Sequence, residues 1–130
     1  MMNAPYLVGN MLKIADDLHA LYCKEVRKGK LPPQLLGNAL MVAALESPEQ
    51  ALSQLAQRIP PYLGWARTNN TDSAGLSRYF LKSYGEIEAK IRGQQLPMRL
   101  NDPDRAQLLL GYIAASEKSE STNEQPEGEK

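Results

Sequence analysis

Apolar residues recur at helical spacing along most of this chain, and no segment alternates in the manner of a β-strand. The clearest series advances by four, three, four and three residues: Leu7, Met11, Ile14, Leu18 and Leu21. A second apolar stripe lies beside the first, so this segment predicts a long helix with a wide apolar face. A chain of 130 residues can enclose one modest core. The sequence therefore predicts an all-α, single-domain bundle.

Proline, glycine and polar clusters divide the chain into about five helices. The predicted helices cover residues 5–28, 32–45, 48–59, 76–92 and 103–118. The second is apolar on all sides, so we expect it to lie buried at the centre. Pro60 and Pro61 must break or kink the third, which leaves a short extra turn over residues 62–67. Residues 68–75 are the longest polar loop and the expected place for mobility.

Similar strings centred on a glycine occur in three of these helices: LVGNML, LLGNAL and LLGYIA. A glycine inside a helix costs about 1 kcal/mol relative to alanine, so Gly9, Gly37 and Gly111 each need a physical reason. A missing side chain allows two helix backbones to approach closely. We therefore predict that all three glycines are packing points between helices.

Charge is distributed unevenly, although the whole chain is formally neutral. The last twelve residues hold four glutamates and one lysine, so the remaining 118 residues carry a net charge of +3. We predict a helical bundle domain over residues 1–118 and a disordered acidic tail over residues 119–130. The single cysteine, Cys23, excludes an internal disulfide, and neither a signal peptide nor a membrane span is evident. We expect a cytoplasmic protein with no membrane partner.

Residues typical of enzyme sites are sparse. His19 is the only histidine, and it shares a helix face with Asp16 and Cys23. Structural zinc usually has four protein ligands, and no second cysteine or histidine is present to complete such a set. No phosphate-binding loop, dinucleotide fingerprint or activated nucleophile occurs. We therefore predict no enzymatic activity, no metal site and no cofactor.

Basic residues are the more informative feature. Arg78 and Lys82 lie four residues apart on the fourth helix, and Gly85, Ala89 and Arg92 continue the same line. Small side chains between cations would let a phosphate backbone lie close. A second group stands at the end of the first helix, where cations also suit the helix dipole. The predicted nucleic-acid-binding residues are Lys24, Arg27, Lys28, Lys30, Arg67, Arg78, Lys82, Arg92 and Arg99, and the aromatic residues Trp65, Tyr62 and Tyr79 could extend their surface or belong to the core.

Three segments also carry a likeness to a known family: PYLVGNMLKIADDLHALY, LPPQLLGNALMVAALESPEQALSQLAQRIPPYLGW and LPMRLNDPDRAQLLLGYIAAS. In order, and over about residues 5–116, they resemble the small subunit of type I CRISPR Cascade complexes. They also resemble the homologous C-terminal helical domain of the large subunit in subtypes such as I-C and I-B.

The resemblance implies a non-catalytic subunit of an RNA-guided surveillance complex in antiviral defence. Its partners would be the large subunit, the crRNA-bound backbone subunits and further copies of itself. The nucleic acid would be the displaced single strand of an R-loop or the guide–target duplex. Base pairing by the guide supplies sequence specificity, so the protein needs only backbone electrostatics.

Two alternatives remain open at this stage. A helical adaptor that binds only protein would show an exposed apolar patch and no affinity for nucleic acid. A small metal-dependent enzyme or sensor would retain a metal ion through purification.

Overall fold

The computed structural model describes the backbone of residues 3–128 and the side chains of residues 3–115. Within that part of the chain there are seven helices and no strand, which confirms the all-α class with more helices than the five predicted. They are α1 (Ala4–Val26), α2 (Leu36–Ala39), α3 (Met41–Glu46), α4 (Pro48–Arg58), α5 (Pro60–Thr68), α6 (Ala74–Arg92) and α7 (Asp102–Gly128). The predicted acidic tail, residues 119–130, lies outside the residues whose side chains are described.

Helix α1 is the centre of the bundle, and it packs against α2, α4, α5, α6 and α7. The Asn3 side chain caps its first turn by accepting from the Tyr6 backbone N–H at 2.9 Å, and Pro5 occupies a position where no helical hydrogen bond is lost. Leu7, Leu12 and Leu18 are among its fully buried side chains. The wide apolar face read from the sequence therefore reflects a helix that has neighbours on several sides.

The prediction of one continuous helix over residues 32–45 at the centre of the bundle is wrong. It begins only at Leu36 and is divided at Leu40 into α2 and α3, and Val42 is 74% exposed. Its position on α1 explains the break: the Leu40 N–H turns back to the Gly37 carbonyl at 3.1 Å, while Gly37 rests on the α1 backbone. Apolar composition on all sides did not mean burial on all sides, because α1 takes the central place.

The three glycines are packing points, as predicted. A β-carbon on Gly9 would overlap the Leu108 carbonyl oxygen and lie 2.7 Å from the Tyr112 backbone nitrogen, and one on Gly111 would overlap the Tyr6 carbonyl oxygen. Gly9 and Gly111 thus let α1 and α7 cross backbone to backbone. Gly37 does the same for α2, because its β-carbon would overlap the Leu12 carbonyl oxygen.

Proline breaks the chain after α4, as predicted, but the segment beyond it is a nine-residue helix rather than a single turn. The expected long loop is also shorter, because only residues 69–73 are non-helical there. The Asn69 amide closes it by donating to the Ser77 hydroxyl at 2.7 Å, and its oxygen accepts from the Thr71 N–H at 3.0 Å. Residues 27–35 and 93–101 are the longer connectors in the described chain.

Helix α7 begins where the sequence predicts. The Asn101 side chain caps it by accepting from the Asp104 N–H at 2.9 Å. Arg105 then ties this end to α3, because its guanidinium Nε donates to the Leu45 carbonyl at 3.1 Å. Among the helices of the described chain, none combines the length and apolar character needed to cross a membrane.

Candidate nucleic-acid interface

The outer side of α6 carries the line of residues that the sequence singles out. Arg78, Lys82, Gly85, Ala89 and Arg92 are all exposed. They follow one another at steps of four, three, four and three residues, which places them on one face of the helix. The opposite side holds the helix in the bundle through buried Phe80, Tyr84 and Ile91. We call the exposed line the basic face of α6.

A groove runs beside the basic face, between α6 and the helices α4 and α5. It consists of two adjoining clefts of about 250 Å³ and about 190 Å³ that share Ala56, Tyr84 and Glu88 in their walls. Arg67 of α5 lines the first cleft and Arg92 lines the second. The packing of α5 on α6 therefore adds a cation from a second helix to the same side of the molecule. We call this feature the α6 groove.

Gly85 lies on the wall of the α6 groove and differs from the glycines at the helix crossings. Apart from the adjacent backbone of its own helix, no atom of the described residues lies within 4 Å of the place where its β-carbon would be. An exposed glycine in a helix interior costs about 1 kcal/mol relative to alanine. Packing among the described residues does not account for that cost. Gly85 has no side chain and Ala89, one turn further on, has only a methyl group. A ligand can therefore approach the backbone of α6 closely between the cations.

The charges on this surface are largely available to a partner. Among the described side chains, no ion-pair partner lies near Arg67, Arg78 or Lys82. Arg92 contacts Glu88 at 3.4 Å, but both side chains are well exposed, and such pairs contribute little. Glu88 is the one carboxylate shared by both clefts and opposes an anion there. The positive charge of Arg92, 3.4 Å from the Glu88 carboxylate, partly neutralises the negative charge of Glu88.

Tyr84 forms part of the groove wall and supplies a neutral hydroxyl. Burial and, second, the Glu88 carboxylate raise the pKa of Tyr84 to about 12. The hydroxyl is therefore protonated across the neutral pH range and can act as a hydrogen-bond donor.

The remaining predicted cations lie elsewhere. Lys24, Arg27, Lys28 and Lys30 are exposed at the end of α1 and in the turn after it, on a different element from the basic face of α6. Like Arg78 and Lys82, they do not line the two clefts. That turn ends the helix through positive φ angles at Lys28 and Gly29, and the Gly29 N–H donates to the Cys23 carbonyl at 3.0 Å. Arg99 is exposed on the connector before α7.

The aromatic residues near these cations are packed against one another. Tyr22 contacts Tyr62 and Trp65 edge-on, with ring centroids 5.0 Å and 5.5 Å apart, and Tyr62 also tilts against His19 at 4.6 Å. These contacts join α5 to α1. Tyr62 and Trp65 are half-buried and pack on the hydrophobic core. They hold the bundle together more than they extend the basic surface.

The only histidine and the carboxylate before it attach α2 to α1. The Asp16 side chain is buried, and its Oδ1 accepts from the Asn38 N–H at 2.9 Å, while its Oδ2 accepts a hydrogen bond from the Tyr112 hydroxyl. His19 Nδ1 accepts from the Leu36 N–H at 3.0 Å. The pKa of His19 lies below its ordinary value. Burial is the main cause, the Asp16 carboxylate partly offsets it, and the Arg27 cation lowers the pKa further. The neutral ring is the form that can accept at Nδ1.

Cys23 is buried on the same helix. In the part of the chain with described side chains, no three histidine, cysteine or carboxylate groups lie together in a way that could hold a metal ion. Asp16 and His19 instead accept hydrogen bonds that hold α2 on α1, and Asp16 also accepts one from α7.

Comparison of this chain with protein families, curated proteins and solved structures found no match.

Proposed function

We propose that this chain is a non-catalytic helical subunit that binds the sugar-phosphate backbone of a nucleic acid along the basic face of α6. One observation carries the proposal: Arg78, Lys82 and Arg92 flank a stretch of helix at Gly85 that none of the described residues covers. Arg67 adds a fourth cation from across the α6 groove. Cations around an open helix backbone suit phosphate groups, which are anionic and accept hydrogen bonds.

The dimensions favour contact with the backbone rather than with bases. Residues 78–92 span about 21 Å, which is about six nucleotides along one strand of B-form duplex. The side chains are long cations of the kind that position a strand without selecting its sequence.

We further propose, on the resemblance of residues 5–116, that the site serves a type I CRISPR surveillance complex in the cytoplasm. The strand would be the displaced non-target DNA or the guide–target duplex. The large subunit and the crRNA-bound backbone subunits would be its neighbours. Specificity would come from the guide RNA, which agrees with a protein surface that offers only backbone contacts. Co-purification with crRNA and a backbone subunit tests this placement.

Removal of the cations on α6 tests the binding site itself. The variant Arg78→Gln/Lys82→Gln/Arg92→Gln should bind fluorescein-labelled single-stranded DNA at least about tenfold more weakly at low salt. Its dependence of log K on log salt should be flatter by about 2, because three phosphate contacts are lost at about 0.7 each. Fluorescence anisotropy at four salt concentrations measures both quantities.

A matched control removes the same charge at another place. Lys24→Gln/Lys28→Gln/Lys30→Gln changes the net charge equally at the end of α1, and we expect affinity within about threefold of the parent chain. Circular dichroism confirms that both variants fold. If both lose affinity equally, only net charge matters. If the α6 variant binds like the parent, the basic face is not the site.

A helical adaptor is the second candidate, and one observation favours it. Helix α7 exposes Leu109, Leu110 and Ile113. An adaptor without a nucleic-acid role predicts no DNA affinity even at low salt, so the same anisotropy titration of the parent chain separates the two functions.

A further inference from the structure

A pocket of about 190 Å³ lies between α1 and α6, with α7 along one side. Its α6 wall consists of Tyr79, Ser83, Glu86, Ile87 and Lys90. Helical spacing places this wall on the opposite flank of α6 from the residues that line the α6 groove, with the basic face between the two flanks. We call this feature the α1–α6 pocket.

The inside of the pocket suits a flat apolar ring. Tyr6 of α1 and Tyr79 of α6 are half-buried and contribute one aromatic ring from each wall. Ile14 and Ile87 add apolar surface, and Ala114 of α7 has only a methyl group, which leaves space between the walls. Since a cavity of about 150 Å³ holds a benzene molecule, this pocket has room for an aromatic ring and part of a polar group attached to it.

Asn10 supplies a buried acceptor in the α1 wall. Its side chain lines the pocket and is only 9% exposed. The amide nitrogen donates to the Gly111 carbonyl at 2.5 Å, and a carbonyl can only accept, so the orientation of the amide is fixed. Among the described residues, none donates a hydrogen bond to the Asn10 Oδ1. A ligand whose ring carries an N–H or O–H group would supply that donor.

Two opposite charges stand on the α6 wall of the pocket. Glu86 and Lys90 are exposed and lie one helical turn apart. A glutamate and a lysine at this spacing often pair, but these two do not come within 4.0 Å, and neither forms an ion pair with another described side chain. A purely anionic ligand would be opposed by Glu86, and a purely cationic ligand would be opposed by Lys90. The pair therefore suits a ligand that carries both charges.

We propose that the α1–α6 pocket binds a free α-amino acid with an aromatic side chain. Its ammonium group pairs with Glu86 and its carboxylate pairs with Lys90. The aromatic ring lies between Tyr6 and Tyr79, where offset and edge-on contacts between rings are favourable. A ring with a donor, as in tryptophan or tyrosine, also bonds to Asn10. The inference goes beyond nucleic-acid binding and does not depend on it, because the pocket and the basic face of α6 share no residue.

The affinity should be modest, because pairs between exposed charges contribute little. L-Tryptophan has about fifteen non-hydrogen atoms, and a typical binding efficiency per atom then gives a Kd of about 0.5 mM. Amide chemical shifts of the ¹⁵N-labelled full chain, followed during addition of L-tryptophan to about 10 mM, measure that constant. The shifts should saturate and be confined to residues 6–14, 79–90 and 111–115.

Two relatives of the ligand test the role of its charges. Tryptamine lacks the carboxylate and indole-3-propionate lacks the ammonium group, while both keep the indole ring. Each should bind about three- to fivefold more weakly than L-tryptophan, because one charge on the α6 wall is then opposed rather than paired.

Two variants connect each charge of the protein to its group in the ligand. Glu86→Gln should weaken L-tryptophan about three- to fivefold without weakening indole-3-propionate, which has no ammonium group to lose its partner. Lys90→Gln should weaken L-tryptophan equally without weakening tryptamine. Glu49→Gln and Lys24→Gln remove the same charges at exposed positions on other helices and should bind L-tryptophan like the parent chain.

Ser83→Leu fills the pocket from the α6 wall and should abolish binding of L-tryptophan. Circular dichroism checks its fold, and the variants at exposed Glu86 and Lys90 carry the test if it does not fold. Three results would overturn the proposal: no shifts with L-tryptophan, shifts centred on the α6 groove instead of the pocket, or variants at Glu86 and Lys90 that weaken all three ligands alike.

Discussion

Replacing Gly111 with alanine is expected to lower the free energy of unfolding by about 2–4 kcal/mol, against the gain of about 1 kcal/mol that alanine brings to a helix. The new β-carbon would overlap the Tyr6 carbonyl oxygen and lie 3.1 Å from its Cα. No rotation of a side chain relieves an overlap with backbone. Helices α1 and α7 must therefore separate, which strains the hydrogen bond from the Asn10 amide to the Gly111 carbonyl at 2.5 Å.

Gly85→Ala is the matched control for this substitution. It also lies inside a long helix, but outside the adjacent backbone of that helix its β-carbon would meet no atom of the described residues within 4 Å. Helix propensity alone then applies, and the protein should gain about 0.5–1 kcal/mol. Urea denaturation of the parent chain and both variants measures the difference. Equal effects of the two substitutions would mean that α1 and α7 do not cross backbone to backbone.

Replacing Asp16 with alanine is expected to cost about 2–4 kcal/mol of stability, because two partly buried hydrogen bonds lose their buried acceptor. The donors are the Asn38 N–H of α2 and the Tyr112 hydroxyl of α7. Burial, and then the hydrogen bond to Asp16, raise the pKa of Tyr112, so its hydroxyl stays protonated at neutral pH and remains a donor. One carboxylate thus joins three helices.

A double-mutant cycle with Tyr112→Phe isolates the link between α1 and α7. We expect a coupling free energy of at least about 1 kcal/mol between the two substitutions. The neighbouring carboxylate is the control: Asp17 pairs with Lys13 at 3.1 Å nearer the surface, and Asp17→Ala should cost about 0.5–1 kcal/mol. Strict additivity of Asp16→Ala and Tyr112→Phe would contradict the bond between them.

The sequence predicted the features that arise from local signals. The apolar periodicity predicted α1 and α6 to within two residues of each end. The paired prolines predicted the break after α4, and Asn101 predicted the start of α7. The glycines at the crossings were recognisable because their cost inside a helix demands a packing reason.

Other features depend on which helix packs against which, and no local signal contains that information. The division of the second predicted helix at Leu40 follows from the contact of Gly37 with α1. Helical spacing alone also leaves open which oppositely charged neighbours pair: Lys13 and Asp17 come within 3.1 Å of each other, whereas Glu86 and Lys90, which have the same spacing and are both described, do not come within 4.0 Å. Composition overstated the burial of Val42 for the same reason.

The candidate site was predictable to a similar extent. The line from Arg78 to Arg92 follows from the helical period alone. The place of Arg67 on the same groove, and of Glu88 within it, appears only when α5 packs against α6. Sequence spacing also put Asp16 and His19 on one face, but their use in holding α2 required the position of that helix.

Amide chemical shifts of the ¹⁵N-labelled chain, followed while unlabelled single-stranded DNA is added at low salt, test the central claim most directly. Gly85 and Ala89 should shift first and furthest, together with Lys82 and Arg67, because the strand lies along this stretch of α6. Shifts that are largest around residues 24–30, or an absence of shifts at saturating DNA, would contradict the account.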